Sequence, residues 1–398
     1  MEATGRPELD SIVRYARERS PFWAEVLAGV ERFEDIPPLT KPVAQAEFDR
    51  ILVPGLPPER ILPARTSGST GEPVRFVADA WAAHESERAR AWLLELAGLP
   101  VDVHKVLALT DPHLSPGLTD WTAFPMRRVT RENLRERLAT LGRPESYILY
   151  GMASAVEWMA TELERDGRSL PMPAPMAVIT SADTLTVLGR ARIETAFRCP
   201  VHSWYGSTET DPSLAGTLPG EHGRYLLNER RAYVEVADEA GRPCARGESG
   251  RVLVTDLHNR CFPLLRYAVG DRAAMGGHGP GGNRFLERLD GRASAIVELA
   301  NGARLTEGAL HITLLKIGDL AEAVQAMQGV QTGPLALDLR VVWRGARDER
   351  AAAALRDACR RLWGEELDVS VTDVERLETF PNGKRWLLRG LEPASQRA

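Results

Sequence analysis

The segment TSGSTGEP, residues 66–73, combines hydroxyl side chains with glycines and could therefore contact phosphate oxygens. Gly68 and Gly71 permit backbone conformations and close approaches that a Cβ atom would prevent. The free N–H groups of such a loop can surround an anion. The hydroxyl groups come from Thr66, Ser67, Ser69 and Thr70. The segment lacks the GxxxxGK[ST] pattern of a Walker A loop, and taken alone it is as compatible with a surface turn as with a phosphate site.

Four segments further along the chain resemble, in the same order, motifs of the adenylate-forming (ANL) superfamily. They are WYGSTE at 204–209, LLRYAVGD at 264–271, DGRAS at 290–294 and FPNGKRW at 380–386. The loop at 66–73 resembles the phosphate loop of that superfamily, most closely in its phenylacetate–CoA ligase branch. The resemblance is collinear and covers nearly the whole chain. It implies an ATP-dependent ligase that joins a carboxylic acid to AMP and releases pyrophosphate.

The resemblance also implies roles for single residues. Thr208 would contact the α-phosphate, and Glu209 would help hold Mg²⁺, a hard cation that prefers oxygen ligands. Asp271 would accept hydrogen bonds from both ribose hydroxyls, and Arg292 would reach the ribose or the phosphates. The other expected nucleotide contacts are loop residues 66–71 together with Ser181, Ala182, Tyr205, Gly206 and Ser207.

Lys384 is the catalytic cation that the resemblance implies. Its ammonium group, placed between the carboxylate and the α-phosphate, would stabilise charge that develops during transfer. Because Lys384 and the phosphate loop fall in different predicted domains, the reaction would require closure about a hinge near Ser294. Rotation of the C-terminal domain commonly exposes a second active face in this superfamily. Coenzyme A is the usual acceptor in this branch, although no segment of the sequence independently shows a coenzyme A site.

The resemblance places the acid between a middle helix and the adenine-side strands. The expected substrate-binding residues are Tyr147, Tyr150, Gly151 and Trp204, with Ser146, Ser181 and Ala182 beside them. Their aromatic and small side chains suit a planar aryl acid. Aromatic residues are as common in an ordinary core, so both interpretations stay open.

Three positions depart from the superfamily pattern. Glu72 stands where a lysine is usual, and its carboxylate would repel the phosphates unless it points away. Arg65 and Arg75 flank the loop and could compensate for that charge. Ser294 replaces the common hinge aspartate, with Ala295 after it, and Ser181-Ala182 replaces a usual Gly-Glu pair.

A zinc site is a further alternative, because some members of the branch bind a structural zinc. His258 and Cys261 have ligand-like spacing, and Cys244 and His222 could join them. The matching upstream positions are Gly216 and Tyr225, which are not zinc ligands. We therefore favour a buried free thiol at Cys261.

The hydropathy pattern predicts the elements that carry these residues. Residues 9–30 show helical spacing, and Val156, Met159, Ala160 and Leu163 share one helical face. MAVIT at 176–180 is typical of a strand buried on both faces. YVEVA at 233–237 and RVLVTD at 251–256 resemble strands of a more exposed sheet. The mixture favours layered α/β architecture.

The C-terminal region has its own strand–helix–strand pattern. LALDLRVVW at 335–343 and DVSVTDV at 368–374 are the expected strands. Between them, Leu355, Ala358, Cys359, Leu362 and Trp363 mark one helical face. We thus predict an α/β fold with a large N-terminal adenylation domain of layered sheets and helices, residues 1–291. A small, mobile α+β C-terminal domain, residues 292–398, would carry Lys384.

A glycine-rich segment, MGGHGPGGNRF at 275–285, contains a formal GxGxxG pattern. Pro280 lies inside it, and no amphipathic helix opens after it. A dinucleotide-binding motif needs a strand–turn–helix context, so we interpret the segment as a turn before the domain boundary.

Composition limits the class of protein. The chain has 398 residues, a formal net charge of −5 and four cysteines without a CxxC pair. Bulk attraction to nucleic acid and a disulfide framework are therefore not indicated. The N-terminus lacks the apolar segment of a secretory signal, and no apolar run approaches the length of a membrane span. We expect a cytoplasmic protein that could form a homodimer, although the sequence does not determine the oligomeric state.

Three functional hypotheses follow. The first is an ATP- and Mg²⁺-dependent ligase that activates an aryl or related carboxylate and transfers it to coenzyme A. The second keeps adenylation but passes the acyl group to an amine or a carrier protein, or activates another oxyanion, as in natural-product tailoring. The third is a non-catalytic small-molecule-binding descendant, suggested by Glu72 and Ala295 and opposed by Glu209, Asp271 and Lys384.

Overall fold

A computed structural model describes most of the chain. The described residues are 2–57, 61–65, 75–101, 106–109, 121–123, 146–165, 173–185, 187–292, 297–305, 310, 313–314, 316–379 and 386–391. The fold divides into two compact units, Met1–Leu289 and Asp290–Ala398, close to the predicted boundary between residues 291 and 292. No helix within the described ranges has the length and apolar character needed to cross a membrane.

Four short helices open the first unit: α1 (Pro7–Arg19), α2 (Pro21–Val26), α3 (Lys41–Ala46) and α4 (Phe48–Ile51), with a 3-10 turn at Phe33–Asp35. The predicted helical region at 9–30 is therefore two helices. Pro21 lacks an N–H and starts α2, where Ser20 caps the helix by accepting a hydrogen bond from the Trp23 amide. Trp23 also donates from Nε1 to the Pro263 carbonyl at 2.8 Å, which ties these helices to the sheet.

A β-hairpin precedes the next helix. Strands β1 (Ile61–Arg65) and β2 (Arg75–Asp79) pair antiparallel, with Arg65 opposite Arg75. Asp79 then caps α5 (Ala80–Leu96) by accepting a hydrogen bond from the Ala82 amide at 2.7 Å. The hydroxyl- and glycine-rich loop connects these two strands in sequence and lies outside the described residues.

One half of the main sheet is parallel. Its strands are β3 (Val106–Leu109), β4 (Trp121–Ala123), β5 (Ile148–Met152), β6 (Ala177–Ser181) and β7 (Val201–Ser207). Helices α6 (Ala153–Arg165) and α7 (Val187–Phe197) connect β5, β6 and β7. All five residues of β6 are buried, as the apolar run MAVIT predicts. The face predicted for α6 is also confirmed, because Val156, Met159, Ala160 and Leu163 are buried against β5 and β6.

The other half of the sheet is antiparallel. It contains β8 (Asp211–Gly216), β9 (Tyr225–Leu227), β10 (Ala232–Ala237), β11 (Ser249–Asp256), β12 (Tyr267–His278) and β13 (Arg284–Arg292). The spatial order of the 11 strands is β10-β11-β12-β13-β9-β8-β7-β6-β5-β3-β4. Strand β7 joins the two halves, because it pairs in parallel with β6 and antiparallel with β8.

One sequence expectation needs correction here. Strands β10 and β11 are not part of a more exposed sheet: Val234, Val236, Val252 and Val254 are buried in one cluster with the N-terminal helices. Covering by those helices gives the strands a second buried face, which alternation in the sequence does not reveal. The glycine-rich segment, by contrast, is a turn as predicted: a 3-10 turn at Pro280–Gly282 connects β12 to β13.

The second unit has a four-stranded sheet in the order β18-β17-β16-β19. These strands are β16 (Val324–Gly333), β17 (Ala336–Trp343), β18 (Asp368–Asp373) and β19 (Leu388–Arg389), and a pair β14 (Val297–Glu298) and β15 (Arg304–Leu305) lies apart. A 3-10 helix spans Gly318–Ala323, and α8 (Glu349–Trp363) connects the parallel strands β17 and β18. The predicted strand–helix–strand unit is therefore present. Leu362 is 39% exposed, however, because its position turns outward beside the otherwise buried face.

Candidate active site

The predicted acid and nucleotide residues gather where the parallel strands end. Tyr150 lies near the end of β5, Ser181 ends β6 and Ser207 ends β7. Because these strands are parallel, their carboxyl ends lie at one edge of the sheet, the edge where open α/β sheets bind ligands. The edge also coincides with the change from parallel to antiparallel pairing at β7.

Tyr205 and Asp271 form the central contact of this edge. The Tyr205 hydroxyl donates a hydrogen bond to Asp271 Oδ2 at 2.9 Å, although the two residues are 66 positions apart. The Tyr205 ring is buried and meets Tyr225 edge to face, with ring centroids 6.2 Å apart. Asp271 follows Gly270, whose φ of +87° suits glycine at an irregularity of β12. The structure thus joins two of the predicted motifs, which the sequence separates.

Gly206 is required by the packing of β7 against β8. A Cβ atom at this position would lie 2.2 Å from the Asp211 carbonyl oxygen and 2.5 Å from the Pro212 carbonyl carbon. The pairing register shifts between Tyr205 and Ser207, so the chain bulges where the motif ends. The aromatic-Gly pattern therefore marks a close approach of two backbones.

A tight turn, residues 208–210, follows the bulge and carries Thr208 and Glu209. Ser207 closes it: its hydroxyl lies 2.9 Å from Thr210 Oγ1 and accepts a hydrogen bond from the Thr210 amide at 3.3 Å. Thr208 is exposed and Glu209 is half-buried. Both side chains stand at the same edge as Tyr205 because they continue from the end of β7.

Glu209 suits the magnesium role that the resemblance implies. Among the described residues, its carboxylate makes no hydrogen bond or ion pair, and it lies beside the hydroxyl-bearing Thr208. A partly buried carboxylate without a protein partner is a suitable oxygen ligand for a hard cation. The described residues contain no cluster of three or more His, Cys, Asp or Glu that could bind a metal by themselves. Glu209 would therefore share the ion with substrate oxygens.

Tyr150, Ser181 and Trp204 form a second group on the opposite face of the sheet. The hydroxyl oxygens of Tyr150 and Ser181 lie 2.5 Å apart. The Tyr150 and Trp204 rings are tilted by 53° with centroids 5.9 Å apart. Burial raises the pKa of Tyr150 above its ordinary value, so its phenol stays protonated. Gly151 follows Tyr150 in β5 and is buried. The group presents one hydroxyl pair and two aromatic rings.

Tyr147 does not join this group. It precedes β5, at the amino end of the strand, and its side chain packs with the core under α6 and α7. Its hydroxyl is already used, because it donates to the Pro173 carbonyl at 2.7 Å. The exposed Ser146 likewise contacts Met176 Sδ rather than the group at the carboxyl edge. Tyr147 and Tyr150 are three positions apart, an odd number, so in extended backbone their side chains lie on opposite faces of the sheet.

Ala182 has an unusual backbone conformation directly after β6. Its φ is +69°, a region that residues with a Cβ rarely occupy. The Asp183 amide donates to the Ser181 carbonyl at 2.9 Å, so the three residues form a γ-turn of the rarer, positive-φ type. Such strain is concentrated at ligand-binding sites. Ala182 is exposed at the same edge as Tyr150.

Arg266, in the Arg-Tyr part of the LLRYAVGD segment, has a structural position. Its buried guanidinium contacts Glu235 at 3.1 Å and donates to the Glu34 and Ile36 carbonyls at 2.6 Å each. These bonds attach the N-terminal segment to the sheet. The neighbouring Tyr267 is also fully buried, whereas Asp271, at the end of this segment, is half-buried.

Of the remaining predicted residues, some lie in described elements and others lie outside the described residues. Arg292 is the last residue of β13 and belongs to the second unit. The loop residues 66–71, together with Glu72, Ser294, Ala295 and Lys384, lie outside the described residues. Arg75, which follows the loop, is exposed, and its guanidinium lies over the Phe48 ring at 4.4 Å. Arg65, which precedes the loop, ends β1.

Residues on either side of the Lys384 segment are held by one side chain. Gln328, fully buried in β16, donates from Nε2 to the Glu378 carbonyl at 2.7 Å and to the Trp386 carbonyl at 2.6 Å. Its Oε1 accepts from the Glu378 amide at 2.9 Å. Glu378, two residues before the FPNGKRW segment, and Trp386, its last residue, are thus fixed to the sheet of the second unit.

Two of the four candidate zinc ligands, Cys261 and His258, have other partners. Cys261 is fully buried, its Sγ lies 3.2 Å from Asn259 Oδ1, and burial raises the pKa of its thiol to about 12. His258 Nε2 lies 2.7 Å from the Arg230 carbonyl. These contacts agree with a structural thiol and a turn-stabilising imidazole.

Sequence reasoning missed one buried ionic group beside the site. Arg231 contacts the carboxylates of Asp211 and Asp256, and all three side chains are at most 4% exposed. The residues come from three separate places along the chain, so no local spacing could have indicated the group.

Comparison with solved structures identifies the architecture. The chain superimposes on 2-hydroxyisobutyryl-CoA ligase, in its postadenylation state with R3-HIB-AMP, with a TM-score of 0.77 and 18% sequence identity, covering 98% of this chain and 88% of that one. The fold is that of the adenylate-forming ligases. An anthranilate CoA ligase, AuaEII, in complex with anthranoyl-AMP, is similar with a TM-score of 0.59 and 16% identity, over 81% of this chain and 65% of that one.

Sequence comparison gives a weaker relationship. Protein CapK of Staphylococcus aureus is 23% identical over 287 residues, which cover 67% of this chain. The match spans 61% of the length of CapK. No protein-family model matches the chain.

Proposed function

We propose that this chain is an AMP-forming ligase of the phenylacetate–CoA ligase-like branch. It would activate a carboxylic acid with ATP to an acyl-adenylate, release pyrophosphate and transfer the acyl group to coenzyme A. Support comes from the fold, from the collinear motifs and from the contacts that bring several of these motifs to one edge of the sheet. Similar structures contain acyl-AMP compounds such as R3-HIB-AMP and anthranoyl-AMP.

The observation that carries the proposal is the hydrogen bond from Tyr205 to Asp271 beside the turn with Thr208 and Glu209. An aromatic ring, a carboxylate and a hydroxyl-bearing turn at the carboxyl edge of a sheet suit adenine, ribose and phosphate in that order. Burial of Tyr205 fixes its hydroxyl, so the Asp271 carboxylate is oriented before a nucleotide arrives.

The first reaction brings together two anions, the acid carboxylate and the α-phosphate. Thr208 would donate a hydrogen bond to the α-phosphate, and Glu209 would hold Mg²⁺, which neutralises phosphate charge. Lys384 would place its ammonium group beside the reacting carboxylate and phosphate oxygens. The carboxylate oxygen forms a bond to phosphorus as the bond from phosphorus to pyrophosphate breaks. These residues would stabilise the negative charge on the phosphate oxygens during that transfer.

We favour an aryl acid as the substrate. The half-buried Tyr150 ring and the buried Trp204 ring can contact a planar group, and the Tyr150–Ser181 hydroxyl pair offers a polar contact next to them. The contact of an aromatic ring with a small apolar group has no preferred geometry, whereas two aromatic rings favour offset or edge-to-face contacts. A short aliphatic acid would contact fewer of these atoms.

The test is acid-dependent release of pyrophosphate and formation of AMP, measured over a panel of aryl and short aliphatic acids with and without coenzyme A. The proposal expects pyrophosphate release with aryl acids and AMP with an acyl-CoA thioester when coenzyme A is present. Formation of AMP that ignores coenzyme A would instead favour an amine, a carrier protein or another acceptor. An absence of pyrophosphate and AMP with every acid would refute the adenylation proposal.

A further inference from the structure

We infer that Arg231 and Asp256 are positioning residues that connect the two parts of the site nearest the phosphates. One part is the turn with Thr208 and Glu209, and the other is the β2 end of the hairpin whose loop is the predicted phosphate loop. This inference rests on the proposed function. It assigns to a buried ion pair the task of fixing the distance between these two parts.

Arg231 holds the turn through two of its nitrogen atoms. Its Nη2 donates to the Thr210 carbonyl at 3.1 Å, and its Nε donates to Asp211 Oδ2 at 2.8 Å. Thr210 is the last residue of the turn, and Asp211 opens β8 opposite Ser207. The other carboxylate oxygen of Asp211 accepts the Ser213 amide at 2.6 Å. The guanidinium therefore fixes the turn on the side away from the exposed Thr208.

Asp256 joins Arg231 to the hairpin. Its Oδ1 and Oδ2 accept from Arg231 Nη1 at 2.5 Å and Nη2 at 3.0 Å, a bidentate pair. The same carboxylate accepts the His258 and Asn259 amides at 2.8 and 3.1 Å, which shapes the segment after β11.

That segment bonds directly to β2. Asn259 Nδ2 donates to the Val77 carbonyl at 2.8 Å, and the Arg260 amide donates to Asp79 Oδ2 at 3.0 Å. Asp79 also caps α5 through its other oxygen. A continuous chain of hydrogen bonds therefore runs from the Thr210 carbonyl through Arg231, Asp256 and Asn259 to Val77.

Burial makes this series of hydrogen bonds rigid. Burial alone would lower the pKa of Arg231, but the charges of Asp256 and Asp211 outweigh it and raise the pKa above its ordinary value, so the guanidinium stays charged. Removing one partner would leave buried charge uncompensated, which fixes the geometry more strongly than a surface ion pair could. A displacement of about 1 Å in positioning residues can reduce a rate about 100-fold.

Three variants distinguish the effect of the Arg231–Asp256 pair on the turn at 208–210 from its effect on β2. Arg231→Lys keeps the charge but loses the bidentate fork, and Asp256→Asn keeps an acceptor for the His258 and Asn259 amides. Both should loosen the turn alone. Asp256→Ala removes all contacts and should loosen the turn and β2 together. Glu157→Gln is the matched control, because Glu157 forms a similarly buried 2.8 Å pair with Arg192 between α6 and α7, away from this edge.

Amide hydrogen exchange of the full-length protein measures this loosening directly. We expect exchange of residues 207–213 to rise about tenfold or more in Arg231→Lys and Asp256→Asn, since hydrogen bonds to charged groups are lost. In Asp256→Ala, residues 77–82 should show the same increase. Glu157→Gln should change neither segment. Unchanged exchange at 207–213 in both conservative variants, or a uniform increase along the chain, would overturn the link.

Pyrophosphate release from the same proteins tests the positioning role. We expect kcat to fall by about 10- to 100-fold in Arg231→Lys and Asp256→Asn, with the KM for the acid nearly unchanged and thermal unfolding still cooperative. An unchanged kcat in variants whose exchange has increased would show that the pair has only a structural role. If the wild-type protein releases no pyrophosphate with any acid, the proposed function fails, and with it the catalytic part of this inference. The exchange measurement still decides whether the link exists.

Discussion

Tyr205 and Asp271, 66 positions apart in the chain, meet through a 2.9 Å hydrogen bond at the junction of the parallel and antiparallel halves of the sheet. The donor is a buried phenol, and the acceptor is a carboxylate at an irregularity of β12. Because the phenol cannot turn to water, the carboxylate is held in one orientation. The relationship connects the core of the first unit with the proposed ribose contact.

Tyr205→Phe tests that relationship. The substitution removes one hydroxyl and keeps the ring packed against Tyr225. A hydrogen bond to a charged group contributes about 1.5–3 kcal/mol, so we expect the KM for ATP to rise about tenfold or more with little change in melting temperature. Steady-state pyrophosphate release at varied ATP concentration measures this KM. Tyr225→Phe is the control, since the Tyr225 hydroxyl contacts Ser203 at 3.1 Å rather than Asp271; equal effects of the two variants would contradict the prediction.

Gly206→Ala should be severe. The added Cβ would meet backbone atoms of Asp211 and Pro212, which cannot rotate away as a side chain can. Overpacking of this kind costs about 1–3 kcal/mol of unfolding free energy, and displacement of the adjacent turn should abolish most pyrophosphate release. Gly216→Ala in β8 is a suitable comparison, because its Cβ would meet side chains rather than backbone, the nearest being the flexible end of Leu93 at 2.7 Å. Thermal unfolding and activity assays of both variants check it; a Gly206→Ala protein as active as Gly216→Ala would refute the argument.

Ala182→Gly should separate stability from activity. Relief of a positive φ in a residue with a Cβ contributes about 1 kcal/mol of stability. Arg198, at the end of α7, has a similar φ of +54° and is the matched site. We expect both glycine variants to unfold at higher temperature, and only Ala182→Gly to lower kcat/KM, because it frees the γ-turn at the binding edge. A kinetic change at Arg198, or none at Ala182, would remove the functional interpretation of the strain.

The pH dependence of stability should include a contribution from His202. Burial, followed by the charge of Arg190, lowers the pKa of this imidazole to about 4 in the folded protein. Its ordinary pKa is about 6.5, so the unfolded chain binds the proton first as pH falls. The stability is therefore complete above about pH 6.5 and is lost progressively down to about pH 4, by about 3 kcal/mol.

Chemical denaturation at several pH values, for the wild type and for His202→Gln, measures this loss. The variant should show a weaker decline between pH 6.5 and 4. His222→Gln, which changes an exposed imidazole, should follow the wild-type curve. Parallel curves for wild type and His202→Gln would contradict the prediction.

Lys384→Ala should stop adenylation while nucleotide binding persists. The residue is proposed to stabilise charge that develops only during transfer, so its loss affects kcat by orders of magnitude, as removal of a single electrostatic contact can cost about 100- to 1,000-fold. Pyrophosphate release and calorimetric titration with ATP measure the two effects separately. Lys316→Ala, an exposed lysine of the same unit, is the control. An unchanged rate would exclude Lys384 from the mechanism.

The sequence predicted those elements whose hydropathy has a local period. Strand β6 and the buried face of α6 follow from runs and spacings within a few residues. The burial of β10 and β11 could not be predicted, because the N-terminal helices that cover them are distant in the chain. Leu362 shows the reverse case, an apolar residue predicted to be buried that is partly exposed. It lies at the margin of the apolar face of α8, where a side chain can face solvent.

The site shows the same division. Tyr205, Gly206, Glu209 and Asp271 are recognisable because their motifs are contiguous, and the structure adds the reasons for Gly206 and for the Tyr205–Asp271 contact. Arg231 and Asp256 could not be found, since their partnership is created by the pairing of distant strands. The resemblance places Tyr147 with Tyr150 in the acid pocket, but the alternation of extended backbone puts their side chains on opposite faces of the sheet.

Strand β7 is paired on its two sides with neighbours that run in opposite directions. It cannot slide along one neighbour without breaking its register with the other. Loss of one residue from β7 would invert every following side chain, so that Trp204 and Tyr205 would exchange faces. We therefore expect this strand to tolerate substitutions but not insertions or deletions. Insertions and deletions that diversify ligand preference must accumulate in the connections around it.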